Sequence, residues 1–253
     1  MSNALITLPE AALATHASPR ASSKYLFIPT TDIVSALADE GWVVNSAVQT
    51  KSKSVDRMGY QRHMLRFRPV DPDNQIHVGD SIAELLLDQS HDTSRSYRFG
   101  GGVFRLVCGN GMVVCETAFP GLRLNHKGSL SDIIQASLEV ARKLPELGAL
   151  VSKLKQTHVN EMQRQDFAAR AIAVRYGEKK PLEPRDILYV RREQDQAEDL
   201  WTLFNVVQEN IMRGGQIGVL ESGVIRRMQP ITGLSSGIGV NERLWELAME
   251  YAA

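Results

Sequence analysis

Apolar residues follow two rhythms along this chain, a period of two in the first half and a helical period in the second. Trp42 to Thr50 alternates, with Trp42, Val44 and Val48 on one side and Asn45 and Gln49 on the other, as a half-buried strand does. Tyr60 to Arg68 is expected as a second strand. The polar, basic stretch Lys51 to Gly59 between them is too long for a two-residue turn, so the pair should form a hairpin with a long mobile tip. Beyond the turn residues Asp71, Pro72, Asp73 and Asn74, the run Ile82 to Leu87 fits a more deeply buried strand, with a short helix as the rival. Phe104 to Cys115 is centred on Asn110-Gly111, which supplies the two positive φ angles of a type I′ hairpin turn.

Ahead of these strands, Tyr25 to Ile28 is a short strand-like run stopped by Pro29. Thr30 or Thr31 can then cap a helix whose Ile33, Val34 and Leu37 share a face before Gly41 ends it. Residues 1–22 carry no sustained period and are expected to be a disordered tail, with the fold beginning near Ser23.

The second half is helical. Ser129 and Asp132 form a plausible capping box for a helix bearing Leu130, Ile133, Ile134, Leu138, Ala141 and Leu144, which Pro145 should kink or restart. Leu147, Leu150, Val151 and Leu154 continue the stripe, and a further helix from Asn160 to Tyr176 ends at Gly177. Leu200, Trp201, Phe204, Val207 and Ile211 define another helix, closed by Gly214-Gly215, and Leu244, Trp245, Ala248 and Tyr251 a last one. The glycine-rich stretch of about 25 residues between these two helices is longer than compact domains usually leave without structure unless it serves a function. The expected class is therefore α+β: an N-terminal helix with a largely antiparallel sheet, then a mainly helical C-terminal half. The segmentation is a tail over 1–22, an α+β core over 23–178 and a helical region over 179–253. The boundary rests on the proline loop 179–184, with one shared domain as the alternative.

Composition narrows the function classes. The 253 residues are 43% hydrophobic and 23% charged, enough for a sizeable core, and 29 basic residues balance 29 acidic ones. Any nucleic-acid role must then come from a local basic surface rather than the field of the whole protein. Cys108 and Cys115 are too few for a secreted disulfide framework and read as small core residues; no metal site is expected, because the histidines lack helical ligand spacing. With no apolar run near 20 residues and no secretory leader, the expectation is a cytoplasmic protein away from membranes, with no cofactor.

Three places carry candidate chemistry. Lys51, Lys53, Arg57, Arg62, Arg66 and Arg68 face one local acid, Asp56, and Arg62, Arg66 and Arg68 alternate onto the face of Tyr60. A platform that tracks phosphates and stacks a base would use that pattern, whereas a plain sheet edge would use it to repel strand addition. Ser90-His91-Asp92 has the residue types of a nucleophile relay, but adjacency favours an Asx-type turn. Arg226-Arg227, in the glycine-rich stretch, could grip phosphate, although the glycines there form no Walker or dinucleotide loop. No catalytic signature is present.

Tyr25 with Ile28-Pro29-Thr30, His63-Met64-Leu65-Arg66, Ser90-His91-Asp92, Phe104-Arg105 through Asn110-Gly111, His126-Lys127-Gly128, Ile231-Thr232-Gly233 and Leu244-Trp245, taken in order, resemble the phage/plasmid-like family known as domain of unknown function 932. The chain departs from that pattern in showing Gln89 and Thr93 where Asn precedes and Gly follows the Ser-His-Asp triplet. The resemblance implies an accessory protein of a mobile element and no established activity. The order of elements is also similar to that of single-strand annealing proteins, so the expected function is nucleic-acid binding, with single-stranded DNA as partner and a homo-oligomer as the working form. The alternative is a module that binds and inhibits a host defence or regulatory protein.

Overall fold

The computed structural model describes residues 6–75, 77–78, 81–105, 111–113, 122–124, 129–179 and 181–253. The elements are α1 (Thr30–Asp39), β1 (Trp42–Gln49), β2 (His63–Pro69), β3 (His77–Val78), β4 (Ser81–Gln89), β5 (Tyr97–Arg105), β6 (Gly111–Val113), β7 (Leu122–Leu124), α2 (Leu130–Gln156), α3 (Glu161–Tyr176), α4 (Pro184–Ile187), α5 (Leu200–Arg213), β8 (Ile217–Val219), β9 (Ile225–Arg227) and α6 (Leu234–Tyr251). An antiparallel sheet precedes a mainly helical half, so the class is α+β. The Asn110-Gly111 turn, both cysteines and His126-Lys127-Gly128 lie wholly or partly outside the described residues.

Two compact units divide the chain: Met1–Gly111 with Phe119–Gly148, and Met112–Ala118 with Ala149–Ala253. The division falls inside α2 rather than in the proline loop. Pro181 and Leu182 of that loop are buried, and the Pro181 carbonyl accepts from Val219 N at 2.9 Å. Helix α2 runs through Pro145 without interruption.

In the first unit the sheet order is β1-β2-β4-β5, each pair antiparallel, with β3 against β4 and β7 against β5. β4 has a neighbour on each side, and all nine of its residues are buried, which is why its sequence is nearly continuous in apolar residues. Leu65, Phe67, Leu85, Leu87, Tyr97 and Phe99 point to the face that also buries Ile33 and Leu37 of α1. Burying each of those two α1 side chains contributes about 2 kcal/mol. The strict alternation expected for β1 is broken by a bulge between Val44 and Ser46. The extra residue turns Val48 outward, 42% exposed like Val43 at 43%, and leaves Val44 and Ala47 facing the core partners Phe67 and Leu65.

Tyr25 to Ile28 is not a strand. Tyr25 N donates to Ser22 O at 2.9 Å, Ile28 N donates to the Tyr97 hydroxyl at 3.2 Å, and that hydroxyl donates to Ile28 O at 3.1 Å. Residues 6–22 are not a loose tail. Ala11 and Ala12 are fully buried, Ala11 N donates to Gln49 Oε1 at 2.9 Å, and Ser18 N donates to His91 O at 3.0 Å.

In the second unit, α3, α5 and α6 enclose Phe167, Ile172, Leu203, Phe204, Val207, Leu244 and Trp245. The Trp245 ring meets Phe204 edge-on at 6.0 Å, a preferred aromatic arrangement. The glycine-rich stretch is structured. Ile217–Val219 and Ile225–Arg227 pair antiparallel, and Gly237 and Gly239 lie within α6. The ribbon turns through Glu221-Ser222-Gly223, where Gly223 has φ +77° and Leu220 N donates to Val224 O, a three-residue loop that places glycine in the left-handed position. Gly218 lies so close to the Pro181 carbonyl that a Cβ there would approach it to 2.6 Å.

Candidate functional site

The expected basic platform is a closed ion lattice. Arg62 Nε and Nη2 donate to the two oxygens of Asp88 at 2.6 Å each, and Arg95 Nε donates to Asp88 Oδ2 at 2.9 Å. Two residues along the same face of β4, Glu84 pairs with Arg66 at 3.2 Å and with Arg68, and accepts from Asn45 Nδ2 at 2.9 Å. The Arg62, Arg66 and Arg68 side chains are only 11%, 19% and 19% exposed, and Glu84 is fully buried. The Arg66 guanidinium also lies 4.0 Å from the centre of the Phe104 ring. Burial pushes the Glu84 carboxyl up and the Arg66 guanidinium down, and each opposes the other's shift. The lattice follows from register: β2 lies between β1 and β4, and an inner strand can carry arginines only if a neighbour supplies carboxylates. These arginines are not a solvated sheet edge: four guanidiniums, Arg95 included, share the two carboxylates Asp88 and Glu84, and the three of the predicted platform are four-fifths or more buried.

The rest of the predicted hairpin is committed in part. Its tip is tied down, since Ser18 Oγ donates to Asp56 O at 2.8 Å. Arg57 lies 3.7 Å from Asp92, and Tyr60 packs its ring 5.5 Å from that of His16 and hydrogen-bonds to it at 3.0 Å. Tyr60 stands outside β2, because its carbonyl accepts from His91 N at 2.9 Å. Lys51 and Lys53 are exposed.

On the opposite face of the sheet, three segments far apart in sequence meet in a buried polar cluster. Thr30 does not cap α1; Pro29 precedes the helix and no side chain caps it. The Thr30 hydroxyl instead takes a bond from Gln89 Nε2 at 2.7 Å and meets His63 Nε2 at 2.8 Å and His91 Nε2 at 3.0 Å. A hydroxyl has one proton and two lone pairs, which fixes the tautomers. His63 Nδ1 faces the Gln61 carbonyl at 3.0 Å, so it carries the proton and His63 Nε2 accepts from Thr30. His91 Nε2 must then be the donor to the remaining lone pair. Burial holds His63 below the ordinary histidine range, against the opposing pull of the Gln61 carbonyl and of Asp88 and Asp92. Tyr25 closes one side by donating to Ser90 O at 3.1 Å, and burial raises its phenol.

Ser90-His91-Asp92 is a structural turn. Asp92 accepts from Ser94 N at 3.0 Å, an Asx turn, and Ser90 Oγ accepts from Arg95 N at 2.9 Å. Burial would raise the Asp92 carboxyl, but the Ser94 hydroxyl and amide, Ser90 and Arg57 outweigh it and hold the carboxyl low. Thr93 follows at φ +68°, a left-handed conformation that costs a β-branched residue about 1 kcal/mol or more. His91 is fully buried and spends Nε2 on Thr30, so the triplet presents no nucleophile relay to solvent. Among the described residues no group of histidine, cysteine and carboxylate side chains could hold a metal ion, and no helix is long and apolar enough to cross a membrane.

Arg226 and Arg227 differ from the arginines of β2. They stand exposed on β9 with no ion-pair partner among the described residues, beside aliphatic side chains that are also bare. Ile217 is 59% exposed, Val219 57%, Val224 56% and Ile225 71%. Opposed residues of a ribbon share a face, so the pairs Val219 with Ile225 and Ile217 with Arg227 place Ile217, Val219, Ile225 and Arg227 together. Sequence reasoning singled out the two arginines and missed the ribbon. Its signal was present: a three-residue Glu-Ser-Gly turn between two β-branched runs. The sequence-predicted residues thus fall into four groups: a buried ion lattice, a buried polar turn, the exposed Lys51 and Lys53 of the hairpin, and an exposed ribbon.

Comparisons with known proteins agree with the resemblance carried by the ordered motifs. The chain is 32% identical over 229 residues to the UPF0380 protein YafZ of Escherichia coli (strain K12), which covers 90% of this chain and 82% of that protein. It is 32% identical to the UPF0380 protein YfjQ of the same strain, over the same length and with the same coverage. No solved structure matches. The family model for domain of unknown function (DUF932) matches residues 19–245, nearly the whole of both units, and the chain belongs to that family.

Proposed function

We propose that this chain is a binding protein that engages another protein through the β8–β9 ribbon. One observation carries the reading: an ordered ribbon leaves Ile217, Val219, Val224 and Ile225 more than half exposed, beside the uncommitted Arg226 and Arg227. Ile217, Val219 and Ile225 share one face of the ribbon; contiguous aliphatic surface on a structured element is favourable to cover, and such patches mark interaction sites more often than idle surface. A protein partner suits it better than a nucleic acid, because the face is mainly aliphatic, the turn carries Glu221, and the whole chain is formally neutral. In the setting of a mobile element, the partner is a protein of the host. The test is nuclease-treated capture from a lysate of the carrying cells, with a photo-cross-linking residue at position 219. One stoichiometric protein adduct is expected, lost when Ile217, Val219 and Ile225 are all changed to Ser. Capture unaffected by that variant would refute the reading.

The nucleic-acid reading ranks second and rests on the exposure of Arg226, Arg227, Lys51 and Lys53. It expects salt-sensitive, strand-selective binding of oligonucleotides in fluorescence anisotropy, weakened by Arg226→Glu with Arg227→Glu. The absence of binding at micromolar protein and low salt would remove it.

A further inference from the structure

The backbone of the ribbon shows how a partner would be held. In an antiparallel pair, residues alternate between those bonded across the ladder and those whose backbone groups point away from it. Leu220 N donates to Val224 O at 2.9 Å and Met228 N to Gln216 O at 2.8 Å, which puts Gly218 and Arg226 in the bonded set. Ile217, Val219, Ile225 and Arg227 then direct their N–H and C=O groups outward. On the β8 side that edge is partly used, since Val219 N donates to Pro181 O. On the β9 side Arg227 O accepts from Gln229 Nε2 at 3.2 Å, while the Ile225 N–H, the Ile225 C=O and the Arg227 N–H have no partner among the described residues. An open strand edge flanked by an aliphatic face is a template for a further strand.

We propose that β9 is a docking edge for an extended acidic segment of the partner protein, which adds antiparallel as a third strand of the ribbon. This rests on the reading of the ribbon as a protein-binding surface and specifies its ligand. Charge selects the occupant. The antiparallel register that would use all three residues of β9 against a second copy sets Arg226 against Arg226, and like charges directly opposite each other destabilise a sheet. A partner strand with carboxylates opposite Arg226 and Arg227 and an aliphatic residue opposite Ile225 satisfies both charges and extends the aliphatic face. Read from its N-terminus, the segment is acid, acid, aliphatic. Its acidic end lies beside Arg227, the end of β9 farther along the chain from Glu221 in the turn.

The test uses the full chain and fluorescein-labelled nonapeptides of threonine and valine with a central glutamate-glutamate-isoleucine or lysine-lysine-isoleucine. In fluorescence anisotropy the acidic peptide should bind at least tenfold tighter than the basic one. Arg226→Glu with Arg227→Glu should reverse that preference. N-methylation of the peptide's isoleucine amide, which removes the bond to Ile225 C=O without touching the protein, should weaken binding at least tenfold. Equal binding of both peptides, indifference to N-methylation, no binding by either peptide, or a ribbon-dependent dimer in sedimentation would each overturn the proposal. Loss of partner capture in the triple serine variant alongside any of these outcomes would leave the protein-binding reading standing. Capture indifferent to that variant would remove the reading itself.

Discussion

Two sets of arginines in this protein have the same side chain and opposite circumstances. Arg66 and Arg68 of β2, and Arg62 just before it, are four-fifths or more buried, with Asp88 and Glu84 from the next strand already bound to them. Arg226 and Arg227 stand exposed on a two-stranded ribbon with aliphatic neighbours and no carboxylate in reach among the described residues. By local charge density the first set is the better nucleic-acid candidate. The sheet reverses that order, because a carboxylate 16 or 26 positions along the chain becomes a direct neighbour once β2 and β4 pair. A cluster of like charge in sequence therefore marks a binding surface only where its structural neighbours supply no opposite charge.

The largest expected effect comes from breaking the lattice. Glu84→Ala leaves Arg66 and Arg68 buried without their carboxylate and should cost about 3 to 5 kcal/mol in urea unfolding; a cost below about 1 kcal/mol would mean the lattice is solvated after all. For the same reason, replacing Arg62, Arg66 and Arg68 together with Ala should unfold the first unit, so it cannot serve as a binding test. Thr30→Val is next. It strands the Nε2 atoms of His63, His91 and Gln89 at once and should cost about 2 to 3 kcal/mol, whereas Thr30→Ser, which keeps the hydroxyl, should restore most of it.

The same cluster predicts a pH response. The His63 pKa is depressed in the folded chain, so an unfolded chain takes up the proton near about pH 6.5 and the folded one only at lower pH. The stability this site contributes is full above that pH and is lost as the pH falls through the folded value. Urea midpoints measured from pH 8 to pH 5 should decline for the wild type and flatten for His63→Gln; equal slopes would place the response elsewhere. Thr93→Gly should gain about 1 kcal/mol by relieving the left-handed threonine, read as a rise in the unfolding midpoint. Smallest of all, Arg226→Glu with Arg227→Glu should shift folding stability by less than about 0.5 kcal/mol while changing what the protein binds. A large loss of stability there would erase the contrast between the two sets.

Much of the fold was legible because it depends on local pattern. Helix α1 between Pro29 and Gly41, the alternation of β1, the continuous apolar run of β4, and the faces of α3, α5 and α6 all follow from periodicity and punctuation. β5 was read too late. It begins at Tyr97, and its Gly100, Gly101 and Gly102 carry no apolar signal, yet they pair with Leu86, Leu85 and Glu84 of the central strand. The N-terminal segment was misread for a related reason: its order comes from single bonds to Gln49, Asp56 and His91, not from any periodicity of its own.

By itself the sequence determined the class, most helices and strands, and the family, because each rests on residues within a few positions of one another or on short motifs in order. Only the tertiary structure decided what the motif residues do. Tyr25, Thr30, His63 and Ser90-His91 are separate signals along the chain that the sheet gathers into one buried hydrogen-bonded cluster. Whether an arginine is spent on a carboxylate or free for a partner was decided by strand register too, since burial and charge pairing are relations between strands and are fixed when the strands come together.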